Sequence, residues 1–261
     1  MSGIELFLSG WVIMAVMMSI LWLVANACNK GGVVDIGWTA GIGILAVYYA
    51  IFASEGYWLR SLFVAGLVIA WSLRLAGYLL IRLLQDKEED GRYKTLKEKW
   101  GDQAKRKLFF FFQIQGLTDS ILSIPILIII LNPKPYLTIW EIIGGLVIIL
   151  SIIGEYIADK QLKRFKEKRE NKGKSCRSGL WRYSRHPNYF FEWLHWIGYV
   201  FMGIVIPYGW LTLISPILML YFLLNVTGVP LAEEQALHSR GKDYRRYQKE
   251  TYAFFPWFPK K

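Results

Sequence analysis

Val64-Ala-Gly-Leu-Val-Ile-Ala-Trp71 carries no charge and lies inside an apolar run from about residue 58 to 81. Roughly 20 apolar residues cross a bilayer as a helix, so this run reads as a transmembrane helix. Six runs of the same kind flank it, at about 5–25, 33–53, 112–131, 138–158, 188–206 and 209–229. The first lacks the basic leader and small-residue cleavage site of a signal peptide, so it counts as a helix. With 54% hydrophobic residues in 261, the chain is expected to be an all-α, polytopic integral membrane protein. Residues 1–261 form one membrane-embedded domain of about seven transmembrane helices in this reading.

The lysines and arginines give the orientation. Seven spans put the segments 26–32, 82–111 and 159–187 and the tail from 230 on one side, with 28 of the 31 basic residues. Arg60 and Lys134 lie opposite, and Arg74 falls inside a span. Positive loops stay in the cytoplasm, which sets the N-terminus outside and the C-terminus inside. The net charge of +11 then serves lipid headgroups rather than nucleic acid.

The segment 82–111 reads as helical, either lying on the membrane or shaping a site. Segment 159–187 continues the fifth span as a basic helix before looping through Gly173 and Gly179. The closing aromatics, Phe254-Phe-Pro-Trp-Phe-Pro259, suit an interfacial belt and a docked lid equally.

Charge within an apolar helix is the next signal. A charged side chain near the bilayer centre costs about 2.5–3.5 kcal/mol on insertion scales, so Arg74 should face a cavity or a partner. Arg74, Tyr78 and Arg82 recur every four residues and share one helix face running toward the basic side. Trp71 lies beside that face and deeper. Asp35, at the start of the second span, is the other isolated acid, placed where a helix dipole favours it. Glu155 and Asp159 are again four apart, closing the fifth span.

The densest polar stretch is Gly179-Leu-Trp-Arg-Tyr-Ser-Arg-His-Pro-Asn-Tyr-Phe-Phe-Glu-Trp193. It brings Arg182, Arg185, His186, Asn188 and Glu192 to the mouth of the sixth span. Arginines there can meet lipid phosphate. Asn188 and Glu192, one turn apart on one face, are not explained by lipid phosphate and point to a polar ligand.

Other signals exclude. Cys28 and Cys176 cannot build a disulfide framework, and three histidines are too few for a histidine-box iron site, so no metal is expected. Gly41-Ile-Gly-Ile-Leu-Ala46 matches a dinucleotide fingerprint, but no strand precedes it. Gly37 and Gly41 read instead as a small-residue helix contact.

Taken together, Asp35-Ile-Gly-Trp38, the Arg74/Tyr78/Arg82 face, Gly91-Arg92-Tyr93, Asp159, the Gly179–Glu192 block and the terminal Tyr-x-x-Tyr…Phe-Phe-Pro segment resemble the bacterial branch of the steroid 5α-reductase family. The resemblance runs from about Asp35 to the C-terminus. It implies a seven-helix enzyme that holds NADPH in a cavity open to the cytoplasm and reduces the carbon–carbon double bond of an enone in a lipophilic, steroid-like substrate. It assigns Arg74, Tyr78, Arg82, Arg92, Asp159, Arg185, His186, Asn188 and Glu192 to the cofactor, with Glu233 or Glu234 closing the site from the tail. In the animal enzymes a glutamate and a tyrosine meet the substrate carbonyl; the matching catalytic positions are Asp35 and Trp71. An indole donates a hydrogen bond but supplies no proton. That departure leaves Asp35 as the polar anchor, protonated by desolvation in this reading.

The Arg-His-Pro block is less specific than the whole. Similar segments occur in isoprenylcysteine and phospholipid methyltransferases that use S-adenosylmethionine, which makes methyl transfer the alternative. A lipid-binding scaffold is the non-enzymatic reading. The chain is expected to act as a monomer among membrane lipids.

Overall fold

The computed structural model describes residues 1–54, 56–85 and 88–260. Outside it lie Lys87 and Lys261, two of the basic residues that set the expected orientation. Every regular element among the described residues is helical. Among the described residues six helical segments are long and apolar enough to cross a membrane, so the chain is a multi-pass membrane protein. The sixth span of the sequence reading, α8 (Pro187–Gly203), has 17 residues, at the lower edge of what a bilayer requires. The chain forms two compact units, Met1–Ile139 with Gly203–Ile214, and Trp140–Met202 with Ser215–Lys261.

In the first unit, α1 (Gly3–Cys28) opens with a capping box. Ser2 accepts from the Glu5 amide while Glu5 accepts from the Ser2 amide, so two otherwise orphaned donors are satisfied. Asn29 ends it in the left-handed region at φ 54°. Small residues then bring α2 (Val33–Phe52) against α1. A β-carbon on Gly37 would sit 2.2 Å from Leu21, and one on Gly41 2.3 Å from Met14, which is the close contact expected from their spacing. On the other flank, Ser72 of α3 (Trp58–Gln85) donates to the Thr39 carbonyl at 2.9 Å. Gly43 leaves room for that hydroxyl, 2.6 Å from where its β-carbon would stand.

The insert 82–111 resolves into the end of α3, a short helix α4 (Gly91–Trp100), and the start of α5 (Ala104–Leu122). Asp90 caps α4 through the Arg92 amide at 3.0 Å. The fourth span was expected as one helix over 112–131, but it breaks at Ser123 into α5 and α6 (Ile124–Ile130). Pro125 is the cause, because it lacks an amide donor and its ring crowds the preceding turn. Arg60 is wholly buried beyond α6, where its guanidinium donates to the carbonyls of Asn132, Lys134 and Tyr136 at 2.6, 2.8 and 2.5 Å. It is a clasp for the loop rather than a surface charge.

In the second unit, α7 (Ile139–Glu167) carries the fifth span onward as a basic helix, as its sequence suggests. Glycines seat α8 against it. A β-carbon on Gly144 would lie 2.4 Å from the Gly198 carbonyl, and one on Gly154 2.4 Å from the Phe191 ring. The seventh span is not one regular helix: α9 (Ile214–Tyr221) passes into a π turn over Phe222–Val226. There Asn225 donates its side-chain amide back to the Tyr221 carbonyl at 3.2 Å. The tail helix α10 (Val229–Glu250) kinks at Gly241, φ 50°. The terminal aromatics differ in burial. Phe254 is buried against Phe190 and Trp193, while Trp257 and Phe258 are 65% and 74% exposed.

Candidate functional site

The residues singled out from the sequence fall in both units, and only some of them are brought together. In the first, α4 folds back over the start of α2. Each oxygen of Asp35 accepts one hydrogen bond: Oδ2 from Arg92 at 2.8 Å, and Oδ1 from the Tyr93 hydroxyl at 2.8 Å. Arg92 also binds Asp90 at 3.0 and 3.1 Å, and Arg82 reaches Asp90 at 3.2 Å. Glu89 accepts from the Gly31 amide at 2.8 Å and pairs with Lys97 at 2.7 Å, which ties α4 to the α1–α2 turn.

Electrostatics support this arrangement. Burial works against a charged Arg92, yet its hydrogen bond to Asp90 and the charge of Asp35 outweigh burial and hold its pKa above the ordinary value. Asp90 is likewise penalised by burial, but the bonds and charge of Arg92, then the charge of Arg82, bring it below the usual carboxylate range. Both oxygens of Asp35 are thus engaged as acceptors of donors from α4.

Trp71 is wholly buried, edge-on to Trp38 with ring centroids 6.1 Å apart. Arg74 is one turn further along α3, Tyr78 is 46% exposed, and the Arg82 side chain is 52% exposed. The three are graded outward along the helix, as their four-residue spacing implies. Asp35 is not the one other isolated acid of the spans: Asp119 of α5 is fully buried, and neither of its oxygens has a hydrogen-bond partner among the described residues.

In the second unit the Gly179 block is built on α7. Gly179 takes φ 61° beneath the Gln161 amide, where a β-carbon would meet it at 2.5 Å. Gln161 accepts from the Leu180 amide at 2.9 Å, and the Trp181 indole donates to the Ala158 carbonyl at 2.9 Å. Pro187 then starts α8, a position where its missing amide costs nothing. One turn of α8 presents Asn188, and the next presents Glu192. Asn188 donates to Asp159 at 3.3 Å, while its carbonyl oxygen is buried with no hydrogen-bond partner among the described residues. Glu192 is 7% exposed and accepts from the Trp196 indole at 3.3 Å.

Arg185 and His186 face the tail. Arg185 binds Glu233 at 2.6 and 2.7 Å and donates to the carbonyls of Gln248 and Thr251 at 3.2 and 2.5 Å. His186 meets the same Glu233 oxygen at 3.3 Å, so its Nε2 carries the hydrogen. Gln248 donates to the other oxygen at 2.8 Å. Glu233, not Glu234, is thus the tail acid of the cluster. Burial raises its pKa, but the hydrogen bonds from His186 and Arg185, with the Arg185 charge, overcome this and bring it to about 2. Burial lowers the His186 pKa against the pull of Glu233.

In the first unit Arg74, Arg82 and Arg92 have the chemistry of phosphate ligands. In the second, a ligand hydroxyl or amide would satisfy the unmet carbonyl oxygen of Asn188.

Residues 21–251 match the family model described as protein of unknown function DUF1295. No curated protein and no solved structure matches the chain.

Proposed function

The chain belongs to the DUF1295 family, and we propose that it is an NADPH-dependent membrane reductase that saturates the double bond of a lipophilic, steroid-like enone. The observation that carries this reading is the buried carbonyl oxygen of Asn188, unmet beside Asp159 and one turn from Glu192. A buried acceptor left unsatisfied costs about 1–3 kcal/mol, and a bound ligand bearing N–H or O–H groups removes that cost. Lipid phosphate, an acceptor, does not. The arginines on α3 and α4 add the cationic groups that a 2′-phosphate and a pyrophosphate require.

In this reading the bound dihydronicotinamide supplies the hydride. Arg74, Tyr78, Arg82 and Arg92 have the chemistry to serve the cofactor's phosphates, and Asn188, Glu192 and Asp159 that to serve ribose hydroxyls or the carboxamide. Arg185 and His186 serve the cofactor through the loop they anchor, because Glu233 already occupies them. Asp35 is placed at the substrate carbonyl, and buried Trp71 backs that position. The basic ends of the helices face the cytoplasm of a bacterial inner membrane, where NADPH is found, and the lipophilic substrate arrives from the membrane.

The test is NADPH oxidation by the detergent-purified protein against a panel of steroidal and isoprenoid enones, with the saturated ketone identified by mass. Stoichiometric ketone supports the reading. Methyl transfer from S-adenosylmethionine to an isoprenyl or phospholipid acceptor, without NADPH oxidation, replaces it with the methyltransferase alternative.

A further inference from the structure

We propose that Tyr93 is the proton donor to the substrate carbonyl, a role that neither Asp35 nor Trp71 fills. The inference rests on the enone-reductase reading and assigns one of its catalytic groups.

Reduction of an enone moves an electron pair onto the carbonyl oxygen, and a positioned donor there lowers the barrier. Asp35 cannot be that donor while its oxygens accept from Arg92 and Tyr93 at 2.8 Å each. The groups poised to donate to a carbonyl there are those already donating to Asp35. Of these, the phenol bears the more transferable proton, because a guanidinium stays protonated.

Tyr93 is built for a fixed position. Its ring is 3% exposed and packs edge-on against Phe111, with centroids 6.3 Å apart. Gly31 leaves room for it, since a β-carbon there would lie 2.6 Å from the ring. Burial first, and then the charge of Asp35, push the phenol's pKa up, so the proton is present throughout the neutral range. The Arg92 guanidinium stands 5.3 Å from the ring centroid, where it offsets the negative charge left when the proton departs. The Asp35 side chain keeps 25% of its surface exposed.

The step balances. The substrate carbonyl replaces Asp35 as the acceptor of the Tyr93 hydrogen bond. Hydride adds to the β-carbon, the C=C π pair shifts to a new C=C bond at the α-carbon, and the C=O pair moves onto oxygen. Tyr93 gives its proton to that oxygen and becomes a phenolate beside Arg92. The enol tautomerises to the saturated ketone, and the phenolate regains a proton from water. NADPH is oxidised to NADP⁺ as the double bond is reduced.

The experiment is Tyr93→Phe, which removes the hydroxyl and keeps the ring against Gly31 and Phe111. The NADPH-induced rise in the unfolding midpoint is expected to persist. The kcat for enone reduction is expected to fall at least ~100-fold, the scale of a lost general acid, with KM little changed. A kcat within about threefold of wild type overturns the proposal, while the reductase reading stands on the wild-type activity. No enone reduction by the wild-type chain overturns both. Should the phenyl variant fail to fold, fluorinated tyrosine at 93 retains packing and hydrogen bond. A kcat that tracks phenol acidity then supports the role, and an indifferent kcat removes it.

Discussion

The guanidinium of Arg185 grips one carboxylate oxygen of Glu233 through two nitrogens, at 2.6 and 2.7 Å, with the two side chains 9% and 16% exposed. Forty-eight residues of sequence separate the partners. The same arginine takes the Gln248 and Thr251 carbonyls, and its own amide donates to Tyr252 at 2.9 Å. The pair therefore holds α10 and the terminal segment against the loop that begins α8. Glu233→Gln leaves the buried guanidinium without its counter-charge. The expected loss is about 3 kcal/mol, the low end of the range for breaking a buried pair, because Glu233 keeps some solvent. Thermal unfolding in detergent reads it, and an unchanged midpoint contradicts the clasp.

Acid acts on the same cluster. Glu233 has its pKa lowered from 4.5 to about 2 in the fold. Its stabilisation is complete above pH 4.5 and is lost as the pH falls toward 2. His186 is depressed below its ordinary 6.5, so the unfolded chain takes a proton first and stability starts to fall below that pH. The unfolding midpoint should thus decline from about pH 6.5 downward. Glu233→Gln should flatten the limb below pH 4.5. A midpoint that rises between pH 6 and 4 would falsify the assignment.

Glycine contacts give a stability prediction independent of any ligand. Gly154 faces the Phe191 ring at 2.4–2.6 Å from its missing β-carbon. Gly154→Val should cost about 1–3 kcal/mol through overpacking, read as a lower unfolding midpoint. Gly173, whose added β-carbon meets nothing within 4 Å, takes φ 78°; Gly173→Asn should be tolerated, because asparagine visits that region readily.

Much of this architecture is legible in sequence because bilayer length and apolarity are local properties. The positions of α1, α2, α3 and α7 follow from their runs, and the graded face Arg74, Tyr78, Arg82 follows from four-residue spacing. The break at Ser123 had its signal in Pro125. What sequence hides is pairing across distance. Tyr93 and Asp35 are 58 residues apart, and the Gly-Arg-Tyr triplet announces a motif without saying that its tyrosine bonds the α2 acid. The choice between Glu233 and Glu234 depends on the phase of α10, which adjacent acids leave open. Asp119 is hidden too, because one acid in an apolar run leaves its hydropathy intact.

The cofactor assignment separates the reductase from the methyltransferase reading. Arg74→Ala and Glu192→Gln should each abolish NADPH binding measured by calorimetry, and micromolar binding retained in both would remove the proposed residues from the site. A methyltransferase built on the Arg-His-Pro block should tolerate Arg74→Ala. Asp35→Asn should spare NADPH binding and slow reduction, because Asp35 is placed at the carbonyl and not at the cofactor.

The central claim is that this membrane protein binds NADPH, and thermal unfolding of the detergent-purified chain with NADPH, NADH or S-adenosylmethionine tests it most directly. A ligand at a hundred times its dissociation constant adds about 2.7 kcal/mol to the folded state, enough for a clear rise in midpoint. The account predicts that rise with NADPH, and none with S-adenosylmethionine. Stabilisation by S-adenosylmethionine alone contradicts it.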